Sequence, residues 1–344
     1  MAVNKSAQLR DQRHPNVAAV NDYATAVIDG CTADRIAATT RFDHGENHAV
    51  YRVSYLDERE AERDVVVRIS NADRDADRRQ AQREAAVLDH LRGAASPRLL
   101  HFAADTAFGG RAVMCLEYID GRFEPLPTAA PGKLAELGSI VRRAHGVPID
   151  TLAPILNGTP EQATYVQDRL GSMLARMSLV RDPLPRSVQN MFTDATKWAT
   201  QTAEHLQAFD DRHAPVLLHG DVSAGNILWT PHPVLIDWEY ARIGDPADEI
   251  AYLFGQNALR TDQREAFWRG YGHGLECESS GRIVERAAAW EPLTLFGSAL
   301  YWIDLWSRSV RAQAAGSVDP SAPKDPAYYL DIAMRYLSRA DPPR

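Results

Sequence analysis

Cysteine and lysine are scarce in this chain of 344 residues. The three cysteines, Cys31, Cys115 and Cys277, lie far apart and form no CxxC pair, which excludes a disulfide framework and a cysteine-built metal site. A reducing, cytoplasmic setting is the expectation. Lysine occurs four times among 38 basic side chains, so arginine carries nearly all of the positive charge. Those 38 are outnumbered by 46 acidic residues, for a net charge of -8, and the balance offers no electrostatic footprint for a nucleic-acid backbone. Long apolar runs are missing as well. The longest apolar-looking stretch, Leu293 to Ile303, falls short of the roughly 18 residues of a membrane span. The polar start MAVNKSAQLRDQRHP has no apolar signal-peptide core, so neither membrane association nor export is expected. The sequence carries no signal of oligomeric state.

What is present is a globular composition, 45% hydrophobic and 24% charged, enough for two domains of about 100 to 200 residues. Residues 17 to 30 have helical spacing and end on Gly30, a suitable C-cap. From Arg35 to Ser70 the chain turns to valine- and tyrosine-rich stretches. AVYRVSYL and RDVVVRIS, joined by the charged tip DEREAE, predict an antiparallel hairpin. Ala81, Ala85, Leu88 and Leu91 recur at helical spacing within 73 to 92. Two further strands are expected near Arg98 to Ala103 and Arg111 to Tyr118. After the Gly- and Pro-containing stretch IDGRFEPLP, strand signals almost vanish. Helical patterns fill Gly132 to Gly146, Pro160 to Leu179, Arg186 to Phe209 and Pro246 to the end, interrupted by one island, VLLHGDVSAGNILWTPHPVLIDWEYARIGDP. The plan is α+β: a β-rich domain over 1–118 and a mainly helical one over 119–344.

The island carries the chemistry. Asp221 follows the apolar run Val216 to Leu218, Asn226 comes five residues later, and Asp237 ends a second apolar run, Val234 to Ile236. A carboxylate that takes a hydroxyl proton, with Asn and Asp as hard oxygen ligands for Mg²⁺, is what phosphoryl transfer requires. The spacing matches the HxDxxxxN catalytic loop followed by a metal-binding Asp. Taken singly, Asp221 also reads as a turn residue and Asn226 as an Asx-turn.

HGDVSAGN and LIDWEYARIGDPADEIA together resemble the aminoglycoside phosphotransferase and choline kinase superfamily, which has the bilobal protein-kinase fold. Upstream motifs follow in the same order: GENHAVYRV resembles its nucleotide loop, VVVRI its phosphate-contacting strand, REAAVLDHL the helix with its partner acid, and CLEYIDG its hinge. The resemblance covers roughly residues 40 to 256. It implies a β-rich N-lobe, a helical C-lobe, Mg²⁺, and ATP or GTP as phosphoryl donor. Asp221 would be the catalytic base, Asn226 and Asp237 the metal ligands, and Gly45, Asn47, Arg68, Glu84, Glu117 and Ile119 the nucleotide site. Arg68 stands where many relatives have lysine; it keeps the charge and grips phosphate bidentately, and its bland alternative is a surface ion pair. Glu249 is expected to brace the catalytic loop, and Glu239 to be structural, with a lean toward the metal as its alternative.

Protein kinase activity is disfavoured, because Ser223 replaces the lysine expected after the catalytic Asp and no A-P-E segment follows. A small hydroxylated substrate fits better. Ser223, Glu291, Trp302, Asp304 and Trp306 are its candidate contacts, with the alternative that the aromatic stripe is helix core. HGD points toward antibiotic-type kinases, and LIDWEYA toward choline kinases. The expectation is an O-phosphotransferase for an antibiotic or related natural product, with a choline, ethanolamine or other metabolite kinase as the alternative and a nucleotide-binding pseudokinase as a third reading.

Overall fold

The computed structural model describes residues 15–42, 48–70, 75–105, 108–156, 162–180, 184, 186–209, 214–272, 277–319, 322 and 324–340. The chain forms two compact units. One comprises Met1–Arg122 with Leu228–Ala241, the other Phe123–Ile227 with Arg242–Arg344. The sequence-based division at 118/119 gave no sign that residues 228–241 return to the first unit. Backbone bonds explain the return: Leu235 N–H donates to Ala95 O at 3.0 Å, and Arg122 and Trp229 exchange N–H···O bonds of 3.1 and 2.9 Å. Gly121 permits that pairing, since a Cβ there would sit 3.1 Å from Leu228 and Thr230 side-chain atoms and 3.2 Å from the Trp229 carbonyl.

In the first unit, helix α1 (Val17–Val27) starts on Asn16, whose side chain accepts from Ala19 N–H. Strands β1 (Ile36–Phe42), β2 (His48–Leu56) and β3 (Glu62–Ser70) precede helix α2 (Asp75–Leu91), which is followed by β4 (Leu99–Asp105) and β5 (Arg111–Glu117). They form one antiparallel sheet in the order β1-β2-β3-β5-β4. The predicted hairpin is β2 and β3. The sequence did not single out β1, an edge strand whose side chains are mostly exposed and so leave no alternation to read. On β2, Ala49, Tyr51, Val53 and Tyr55 are buried in alternation, and they pack with Val65, Val67 and Ile69 of β3 and Val20, Tyr23 and Ala24 of α1. Burying each larger apolar side chain contributes about 1.5–3 kcal/mol. The strand period then assigns Arg68, between Val67 and Ile69, to the opposite face; a one-residue slip would exchange the two faces.

In the second unit come α3 (Pro131–His145), α4 (Gln162–Val180), α5 (Arg186–Ala208), a two-stranded sheet of β6 (Val216–Leu218) and β7 (Arg242–Gly244), and then α6 (Pro246–Asn257), α7 (Thr261–Tyr271), α8 (Cys277–Ala314) and α9 (Pro326–Ala340). Asp245 caps α6 by accepting Ala247 N–H ahead of Pro246. Its other oxygen takes a buried ion pair from Arg286 and the Trp290 indole N–H at 2.9 Å. Helices α3 and α7 touch through glycine: a Cβ at Gly138 would lie 2.2 Å from Phe267 O, and one at Gly270 1.8 Å from Ala135 O. Among the described residues no helix is long and apolar enough to cross a membrane.

Candidate active site

Within the first unit a buried arginine organises the acids. Arg68 forms an ion pair with Glu84 Oε2 and donates to Asp237 Oδ1 at 3.2 Å. Burial works against its charge, but Glu84 and Asp237 outweigh it and hold the guanidinium above its ordinary value. Glu84 sits on the buried face of α2, and its second oxygen accepts Trp238 N–H at 3.1 Å. One carboxylate therefore fixes both Arg68 and the backbone just after Asp237. Asp237 itself has φ 64° and ψ 69°, a left-handed conformation that Asp tolerates better than most residues. His48 Nε2 lies 3.4 Å from Glu239 Oε2, and the Gln80 amide donates to Glu239 at 3.4 Å.

Burial pushes the Asp237 carboxyl up, Arg68 pulls it down, and the charges of Glu84 and Glu239 push it up again; the net direction is upward. Crowded carboxylates of this kind fit a hard divalent cation, which would relieve their repulsion. His48, Asp237 and Glu239 each offer a donor atom, all within 4.8 Å of one another.

In the second unit, β6 delivers His219, Gly220 and Asp221. Gly220 has φ 89°, a turn open to glycine, and its N–H donates to Glu249 Oε1 at 2.7 Å. Glu249 Oε2 pairs with His145 Nε2 at 2.8 Å, and His145 Nδ1 with the Tyr271 hydroxyl at 2.9 Å. Burial alone would raise the Glu249 carboxyl, but the His145 contact, the charges of His145 and His219 and the Gly220 N–H hold it below its ordinary range. Glu249 thus braces the loop, the role read from the sequence. Beside it Asp248, also fully buried, accepts from Tyr165 at 2.5 Å and Arg242 at 2.9 Å, and Arg169 lies 3.3 Å away.

Asp221 Oδ2 accepts from Asn226 Nδ2 at 2.8 Å, and Oδ1 accepts from the Tyr252 hydroxyl at 2.6 Å. Asn226 also donates to the Asp221 carbonyl at 3.0 Å, which leaves its carboxamide oxygen as the donor atom suited to a metal. Asp221 and Asn226, five residues apart, are brought together by a turn in which Asn226 N–H donates to Ser223 O at 3.0 Å.

The profile of the APH phosphotransferase enzyme family matches residues 38–290. The chain belongs to that family. Among solved structures, the choline kinase of Cryptosporidium parvum is similar with a TM-score of 0.67 at 12% identity, covering 94% of this chain and 95% of that one. The macrolide 2'-phosphotransferase of Brachybacterium faecium gives 0.60 at 16% identity, covering 95% and 99%. These likenesses show the protein-kinase-like α+β fold. A curated relative, acyl-CoA dehydrogenase family member 10 of Mus musculus, is 24% identical over 234 residues, 62% of this chain and 20% of the relative. The chain spans about a fifth of that protein's length.

The remaining expected positions in this phosphotransferase are placed as follows. Gly45 and Asn47 lie outside the described residues. Glu117 ends β5, with its N–H bonded to Arg98 O at 2.9 Å and its carboxylate 3.3 Å from Arg98 Nε; Ile119 O accepts from Gly121 N–H at 3.0 Å. Ser223 opens the short turn over Ala224–Asn226. Glu291 is gripped by both Arg264 terminal nitrogens at 2.6 and 2.7 Å, and Asp304 pairs with Arg308 at 2.9 Å. Trp306 is buried, as the core alternative supposes. Trp302 is half-buried and stacked on Tyr329 with centroids 6.2 Å apart. Sequence reasoning missed Tyr252 and Tyr336. The available signal for Tyr252 was its place one helical turn after Glu249.

Proposed function

We propose that the protein transfers the γ-phosphoryl group of ATP or GTP to a hydroxyl of a small natural product such as an antibiotic, conferring resistance in the cytoplasm. In this reading the acceptor oxygen forms the new bond to phosphorus, the bond to the nucleoside diphosphate breaks, and Asp221 takes the hydroxyl proton. Arg68, positioned by Glu84, would contact phosphate oxygens, with Gly45 and Asn47 as further nucleotide contacts and backbone groups of Glu117 and Ile119 meeting the base. Asn226 and Asp237 would hold Mg²⁺, which when bound offsets the charge of the phosphates.

The observation that carries the choice of acceptor is the pairing of the acids near the aromatic side chains. Tyr252 donates to Asp221 and Tyr336 feels its charge, while Glu291 and Asp304 are engaged by Arg264 and Arg308. A quaternary ammonium wants rings within about 6 Å and an uncommitted carboxylate; a bulky hydroxylated scaffold wants ring surface and a few polar anchors. The motif LIDWEYA supports choline or ethanolamine as the second reading. The test is a coupled ADP and GDP release assay with ATP or GTP across hydroxylated antibiotics, choline and ethanolamine. A natural product should give the highest kcat/KM. Choline or ethanolamine above every antibiotic would reverse the assignment, and no turnover despite nucleotide-induced thermal stabilisation would make the protein a pseudokinase.

A further inference from the structure

Glu249 and Tyr252 stand three residues apart on α6, on neighbouring positions of one helix face. Glu249 accepts the Gly220 N–H, and one turn later the Tyr252 hydroxyl donates to Asp221 Oδ1 at 2.6 Å, the short range of a charge-assisted O–H···O⁻ bond. Asn226 holds the other oxygen, Oδ2, at 2.8 Å. Rotating the Asp221 carboxylate would break both bonds. Burial, then the negative charge of Asp221, keep the Tyr252 hydroxyl well above its ordinary value, so it remains a donor at neutral pH. Tyr336 also feels the Asp221 charge, from α9.

We propose that Tyr252 is the positioning residue for Asp221, holding the carboxylate in the orientation in which it receives the acceptor's proton. The inference rests on the reading of Asp221 as the base. It divides the loop's support in two: Glu249 fixes the backbone at Gly220, and Tyr252 fixes the side chain. Aligning a reacting group is felt in the chemical step more than in nucleotide binding.

Tyr252→Phe and Tyr252→Gln, each made in the wild type and in the Asp221→Asn background, test it, with thermal melting and nucleotide affinity as folding controls. Tyr252→Phe should lower kcat about tenfold, the scale of one hydrogen bond to a charged group, and leave nucleotide KM within about twofold. Tyr252→Gln, which keeps a donor, should be faster than Tyr252→Phe, whereas a packing role alone would favour Phe. In the Asp221→Asn background Tyr252→Phe should cost nothing further, since the two residues act as one unit. Wild-type kcat in Tyr252→Phe, the same loss in both backgrounds, or Phe equal to or better than Gln would overturn the proposal. Asp221→Asn with most of its turnover intact would instead overturn the base assignment beneath it.

Discussion

Arg68 shows how much a single side chain decides. It is buried and enclosed by Glu84, Asp237 and the Met114 sulfur. The surface-pair alternative therefore does not describe it. Truncating one partner of such a pair strands a buried charge at a cost of about 3–5 kcal/mol, which would confuse binding with stability. Arg68→Lys is the cleaner variant, because charge is kept while the planar fork is lost. Steady-state kinetics should give a nucleotide KM raised several-fold with a smaller change in kcat; an unchanged KM would remove Arg68 from the phosphates. At this scale the sequence was legible where chemistry forces a residue type at a fixed spacing, as for Asp221 with Asn226 and for Glu249. Tyr252 was hidden, since a tyrosine in a helix reads as core until its hydroxyl is seen on a carboxylate.

Among the elements, the contact between α3 and α7 depends on the absence of two side chains. A methyl at Gly270 would meet Ala135 backbone atoms at 1.8, 2.6 and 2.9 Å, and backbone does not rotate aside. Gly270→Ala should lower stability by about 1–3 kcal/mol, as other overpacked interfaces do. Gly132→Ala on α3 meets nothing within 4 Å and should be neutral or slightly stabilising. Chemical denaturation of both variants checks the pair, and equal midpoints would contradict the contact. Helix positions came readily from the sequence because apolar spacing marks them. Strand β1 did not, for an edge strand with exposed side chains carries no period-two pattern. The return of residues 228–241 to the first unit was equally invisible, being made by backbone bonds such as that from Leu235 to Ala95.

For the molecule as a whole, the buried acids set the response to pH. Glu249 ionises below its ordinary 4.5 when folded, so it adds stability that is fully present above that value and is lost as pH falls through the folded value. Glu249→Gln should melt lower than the wild type at pH 7, and the two should converge as the pH falls below the ordinary carboxylate range and the folded carboxyl protonates. A gap that stayed constant across that range would mean that the Glu249 charge contributes nothing. The chain belongs to the phosphotransferase enzyme family, and in the proposed reading Asp221, held at both oxygens by Asn226 and Tyr252, is the group on which catalysis turns. The direct test is the rate of γ-phosphoryl transfer by Asp221→Asn against wild type, with nucleotide affinity measured on the same samples. The account predicts kcat lower by at least about 10², with affinity within a few-fold; most of the turnover retained at unchanged affinity would contradict it.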